Sequence, residues 1–177
     1  MKYFLVILAI FSLCIAGRVQ SQSAAAEPQS MEPDKSDDHN FLPLGEMTSA
    51  QIIAGSRIFN MRYVDYVPNS DAVQLIHNLQ TPVEIKVFWG DWCKESKKYV
   101  PAFIKSMEFA ENPKIAITYI NLSRDKKEPA SAIAGWNIVN IPTFIVISNG
   151  KEIGRVVETP KDSVEQDLAG ILQQLAN

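Results

Sequence analysis

The sequence predicts an α/β domain: a mixed central sheet of four or five strands with helices on both faces. Three observations carry that expectation. Val83 to Trp89 and Ile115 to Leu122 are strand-length runs rich in apolar and β-branched residues, as central strands covered on both sides require. Asn149-Gly150 is the strongest hairpin signal in the chain and joins Phe144 to Ile147 with Glu152 to Val157. Helical periodicity fills the intervals, above all from Cys93 to about Glu111 and from Ser163 to Leu175. A length of 177 residues, shortened by both ends, leaves room for one such domain.

The first residues read as an address. Met1-Lys2 is a minimal positive start, Tyr3 to Ile15 is an apolar run, and small residues follow. Residues 1–21 are therefore expected to be a signal peptide, with cleavage after Ala16 or after Ser21. Two alternatives stand beside it. A retained anchor needs roughly 20 apolar residues, more than this run offers; lipidation at Cys14 is opposed by the bulky Leu13 just ahead of it. Export places the protein in the periplasm or outside the cell, and cleavage leaves Cys93 as its single cysteine. Residues 22–40 are polar and acidic with two prolines, so they cannot recover their ordering entropy by burial and are expected to be a flexible linker. His39 belongs to that linker. The folded domain is expected over residues 41–177.

Within it, Thr48 or Ser49 caps a helix running toward Phe59, which Gly55 weakens. Arg62 to Val67 alternates in the manner of an edge strand. Asn69 or Ser70 caps a short helix with Val73, Ile76, His77 and Leu79 near one face, and His77 reads as a surface or interface residue. After the strand Val83 to Trp89, the helix from Cys93 buries Val100, Phe103, Ile104, Met107 and Phe109. Pro101 is expected to kink it, and Asn112-Pro113 to stop it. Asn121-Leu122-Ser123, at the end of the next strand, matches a glycosylation sequon, relevant only in a eukaryotic secretory setting. Glu128 to Trp136 forms one or two helical turns. Asp162 or Ser163 starts the last helix, where Ser163 and Gln166 fit a capping box.

A net charge of −3 without a basic stripe excludes nucleic-acid binding as the main function. One cysteine and two distant histidines are no metal set, and no glycine-rich loop is present to hold a phosphate, so no cofactor is expected. The chemistry falls to Cys93. A helix start favours its thiolate, Lys94 and Lys97 add to that effect, and Asp91 and Glu95 oppose it. A modest lowering below the ordinary thiol value of about 8.5 follows. The polar turn around it predicts exposure, and the alternative is a buried, inert thiol. Trp89 reads as a packing residue. Trp92 is expected to be partly exposed, as a rim for apolar partners or as packing. Lys94, Lys97 and Lys98 form a solvated helix face.

The stretches V-F-W-G-D-W-C-K-E-S and N-I-P-T-F-I-V-I-S-N-G-K-E-I-G-R, on a strand-turn-helix and on a proline loop with its hairpin, resemble the thioredoxin superfamily over roughly residues 64–177. The resemblance is to an exported thioredoxin-like protein with a single-cysteine W-C-x-x-S motif. It implies that Cys93 is the attacking sulfur, that Pro142 is cis and lies against it, and that the backbone of Ile141 pairs with a bound extended peptide or glutathione. Thr143 would open the strand beneath, and Trp92, Lys94 and Glu95 would belong to the substrate rim. Two positions depart from the pattern. Ser96 stands where the resolving cysteine would be, and Val87 where many relatives carry a buried acid. The expected activity is monothiol exchange on exported protein disulfides or small thiol adducts, with Ser96 as a weak donor to the thiolate and an external reductant or thiol clearing the mixed disulfide. The alternative is a non-catalytic peptide- or protein-binding module on the same fold. A third reading is a peroxide-reactive thiol passing through a sulfenic acid. No nucleic acid partner and no membrane span after signal cleavage are expected.

Overall fold

A computed structural model describes residues 42–175. The expected signal peptide and the linker with His39 lie outside the described residues. The elements run β1 (Gly45–Met47), α1 (Ser49–Gly55), α2 (Arg57–Asp65), α3 (Ser70–His77), β2 (Val83–Trp89), α4 (Lys94–Ala110), β3 (Ile115–Asn121), α5 (Ala130–Ile133), β4 (Thr143–Ser148), β5 (Lys151–Val157) and α6 (Val164–Leu172), closed by a 3-10 turn. The five strands form one mixed sheet in the order β1-β3-β2-β4-β5. Only β2 and β3 are parallel, paired from Val83↔Ile115 to Trp89↔Asn121, and the other neighbours are antiparallel. This is a thioredoxin-like α/β fold. No described helix is long and apolar enough to cross a membrane.

The two sheet faces are covered unequally. Ile85, Val87 and Trp89 of β2 belong to an apolar cluster with Ile52, Phe59, Ile76, Phe103, Ile104 and Leu168, which come from α1–α4 and α6. Phe88 points the other way, because successive strand residues alternate. It joins Ile120, Leu122, Ile145 and Ile147 in a second cluster, covered by the short α5 and its flanks, through Ala132, Ile133, Trp136 and Ile138, and by Trp92. Cys93 and Ile141 belong to this second cluster.

The caps follow the sequence closely. Thr48 makes a reciprocal capping box with Gln51, Asn69 accepts from the Ala72 amide at 3.0 Å, and Ser163 makes one half of its expected box, accepting from the Gln166 amide. Asn149 and Gly150 both have positive φ, 51° and 73°, as the tightest hairpin turns demand. Two expectations are corrected. Tyr63 to Asp65 belong to α2, and Val67, 84% exposed, pairs with no strand. Packing overrode the β-like alternation there: Phe59 meets the Trp89 ring edge-on at 5.2 Å, and Tyr63 bonds Glu108 of α4. Phe109 is 61% exposed rather than buried, since it follows Glu108 on the outer side of α4. β1, three residues long with a glycine, carries no alternation from which to predict it. α4 continues on both sides of Pro101.

Asn112 closes α3 from a distance. Its amide nitrogen donates to the carbonyls of Ile76, His77 and Leu79 at 2.7, 3.0 and 2.9 Å, satisfying groups that a helix end leaves open. Asn112→Ala is expected to cost about 2 kcal/mol, read from urea unfolding. A loss within measurement error would show that water replaces the amide without penalty.

Candidate functional site

The site forms where β2 ends. Trp89 is followed by Gly90, Asp91 and Trp92, and Cys93 is the extended N-cap residue of α4. The Cys93 amide donates to the Gly90 carbonyl at 3.0 Å, and the Lys97 amide to the Cys93 carbonyl at 3.0 Å, so turn and helix are joined without a break. From the other side comes the Ile141-Pro142 loop, whose peptide bond is cis. Its shape is held by three bonds. The Thr143 hydroxyl donates to the Asn140 carbonyl at 2.6 Å, the Glu158 amide to the Pro142 carbonyl at 2.7 Å, and the Asn140 side-chain amide to Glu158 at 3.0 Å.

The Cys93 thiol lies between these two pieces. Its single S–H proton has two acceptors within reach, the Ile141 carbonyl at 3.3 Å and Glu95 Oε2 at 3.4 Å. The residue is only 7% exposed, against the expectation of an open thiol. The polar turn does surround it along the chain, yet Ile141 and the partly buried Trp92 of the second cluster close over it in space. Cys93 makes no side-chain capping bond at the start of α4.

Ser96 is completely buried, and its Oγ accepts from the Gly90 amide at 3.2 Å. Its partner is therefore the turn backbone rather than the sulfur. Thr143 and Ile141 are buried too, so each shapes the loop more than it offers a side chain to a ligand. Lys94 is exposed, while Trp92 and Glu95 are half-buried. Val87 is fully buried within β2, next to Tyr119 and Phe144 in the register, where no acid sits. The expected residues Trp92, Cys93, Glu95, Ile141 and Pro142 thus meet at one place. Lys94 borders it, and Ser96 and Thr143 lie beneath.

Trp92 is oriented by its indole N–H, which donates to the Leu122 carbonyl at 2.9 Å, and the Arg124 guanidinium lies 5.5 Å from its ring centre. The ring passes so close to Gly90 that a β-carbon there would lie 2.7 Å from Cε2 and Nε1. A further set of contacts escaped the sequence reading. The Asp91 amide donates to Asn121 Oδ1 at 3.3 Å, the Leu42 amide to Asp91 Oδ2 at 2.6 Å, and Asn121 Nδ2 to the carbonyls of Leu42 and Pro43, both at 3.0 Å. Asn121 was visible only as the first residue of a sequon. It is wholly buried, so the folded chain offers no acceptor amide there.

A family model described as Thioredoxin matches residues 55–169. The TPR repeat-containing thioredoxin TDX of Arabidopsis thaliana is 29% identical over 85 residues, 48% of this chain and 21% of that protein. The thioredoxin of Staphylococcus haemolyticus is 29% identical over 92 residues, 51% of this chain and 84% of its own length. Among solved structures, Fasciola hepatica thioredoxin is 21% identical, with a TM-score of 0.42 over 59% of this chain and 91% of that one. The chain spans 21%, 56% and 62% of the length of three of the curated relatives it matches.

Proposed function

The chain belongs to the thioredoxin family, and from that premise we propose that it is a peptide- or protein-binding module that holds an extended segment at the rim formed by Trp92, Lys94 and the Ile141-Pro142 loop. One observation carries the reading: the Cys93 thiol is covered, with acceptors on two sides, and no second sulfur follows it at Ser96. The rim suits a chain better than a small molecule. It has a half-buried indole fixed in orientation, exposed Lys94, and exposed Val139 just ahead of the proline loop. A docking strand pairs through main-chain groups. Here it takes over the Ile141 carbonyl from the Cys93 thiol, so binding and uncovering of the sulfur are linked. Export to the periplasm or the cell exterior, supported by the apolar run Tyr3 to Ile15, is part of this proposal.

The closeness of the sulfur to Ile141 favours a second reading, monothiol exchange. The Cys93 thiolate would attack one sulfur of a substrate disulfide, form a mixed disulfide and release the other sulfur as a thiolate. An external thiol would then clear the adduct, because Cys93 is the one thiol among the described residues.

Insulin reduction by dithiothreitol, together with titration of immobilised unfolded polypeptide, separates the two. In a Cys14→Ser background, the protein is expected to leave reduction at the reagent's own rate. Cys93→Ser is expected to bind polypeptide within about threefold of its parent, less than 1 kcal/mol. A Cys93-dependent acceleration of about tenfold or more transfers the function to monothiol exchange. Ser96→Cys, which places a second sulfur one helical turn after the first, is expected to form an internal disulfide on oxidation and to gain reductase activity. If it forms none, the turn does not hold the two side chains together.

A further inference from the structure

The bonds around Asn121 join three separate parts of the chain: the Leu42–Pro43 segment ahead of β1, the Asp91 turn, and the end of β3. We propose that Asn121 and Asp91 are positioning residues for the binding rim, and that the Leu42–Pro43 segment is a strap they clamp to the turn carrying Trp92 and Cys93. The proposal rests on the rim reading above and adds what holds the rim closed. Asn121 uses both ends of its side-chain amide, accepting from the Asp91 amide and donating to the Leu42 and Pro43 carbonyls. Asp91 completes the ring by accepting from the Leu42 amide at 2.6 Å. The Cys93 thiol has its acceptors elsewhere, at Ile141 and Glu95. Both positioning residues act through the backbone of Asp91, one residue before Trp92 and two before Cys93. A packing contact fixes the strap independently: a β-carbon on Gly55 would fall 2.5 Å from Leu42 Cδ2, so the Leu42 side chain lies directly against α1. The neighbouring residue of β3, Leu122 just past its end, receives the Trp92 indole. The β3 end therefore fixes the turn at two successive residues, through the Asp91 amide and through the Trp92 ring. Displacing the strap removes the bonds to Asp91 and Asn121 together, and the turn over Cys93 loosens.

The test is the rate at which iodoacetamide labels Cys93 in the otherwise full chain with Cys14→Ser, under native conditions, with urea unfolding measured in parallel. Asn121→Ala and Asp91→Ala are expected to label about tenfold faster than the parent, the factor that losing one or two ordinary hydrogen bonds produces in an opening equilibrium. Asp91→Asn keeps an acceptor for the Leu42 amide and is expected to return toward the parental rate. Tyr66→Phe, which removes a hydroxyl that joins the C-cap of α2 to Glu165 of α6, is the control for general loosening and is expected to label at the parental rate. Should Asn121→Ala fail to fold, the Asp91 pair carries the test. Parental labelling in both alanine variants overturns the proposal, as does equal acceleration in Tyr66→Phe. The readout needs no peptide. A parent that binds no polypeptide yet shows the labelling pattern refutes the binding function and leaves the strap standing.

Discussion

Glu165→Ala is expected to lower the unfolding free energy by about 3 kcal/mol and the melting temperature by on the order of 10 °C. Glu165 lies in the first turn of α6 and is completely buried. Its carboxylate accepts from the Tyr66 hydroxyl at 2.9 and 2.8 Å and from the Asn69 amide at 2.9 Å. Alanine takes the acceptor from that hydroxyl and that amide, both of them part-buried, and leaves a void where the buried carboxylate stood. Glu165→Gln keeps one acceptor oxygen and should lose less. The same contact sets an alkaline limit. Burial first, and then the bond to Glu165, hold the Tyr66 phenol well above its ordinary value of 10.0. Burial, with the Glu108 charge second, does the same for Tyr119. Both phenols stay protonated in the folded chain at pH values where the unfolded chain releases their protons. Stability is therefore full below about pH 10 and falls as pH rises beyond it. Urea unfolding between roughly pH 9 and pH 11 should show the decline, and Tyr66→Phe should make it shallower. A stability independent of pH over that window would mean that neither phenol is shielded.

Gly90→Ala is expected to weaken polypeptide binding about tenfold while costing only about 1 kcal/mol of stability. The new β-carbon would lie 2.7 Å from two atoms of the Trp92 indole and 3.0 Å from Ile141 Cδ1. Real β-carbons do not approach that closely, and a planar ring pinned to the Leu122 carbonyl yields only by leaving that bond. The ring that forms one wall of the rim then rotates away, and the Ile141 side chain shifts with it. Gly154→Ala is the matched comparison. Its β-carbon would press on Ile171 at 2.9 Å, against α6 and away from the rim, so it should cost stability without weakening binding. Titration of both variants against the same immobilised polypeptide distinguishes them. Equal loss in the two would make the Gly90 effect one of general stability.

Where residues a few positions apart carry the information, the chain declares itself. β2, the body of β3, the Asn149-Gly150 turn, the Thr48, Asn69 and Ser163 caps and the placing of Cys93 at the mouth of α4 all follow from local periodicity, backbone preference and capping chemistry. The helix over Tyr63 to Asp65 does not, because its outcome was set by contacts with α4 rather than by its own alternation. The site divides along the same line. That Cys93 and Ile141-Pro142 belong together was legible from two motifs and the family they resemble. That the sulfur is covered depends on residues brought from 48 positions away. Ser96 as support for Gly90, and Asn121 as the knot between the turn and a strap 79 positions earlier, have no local signature at all. Short-range chemistry chooses each element, whereas burial and the partner of a buried polar group are properties of the assembled domain, since both depend on which distant surfaces exclude water from the same point.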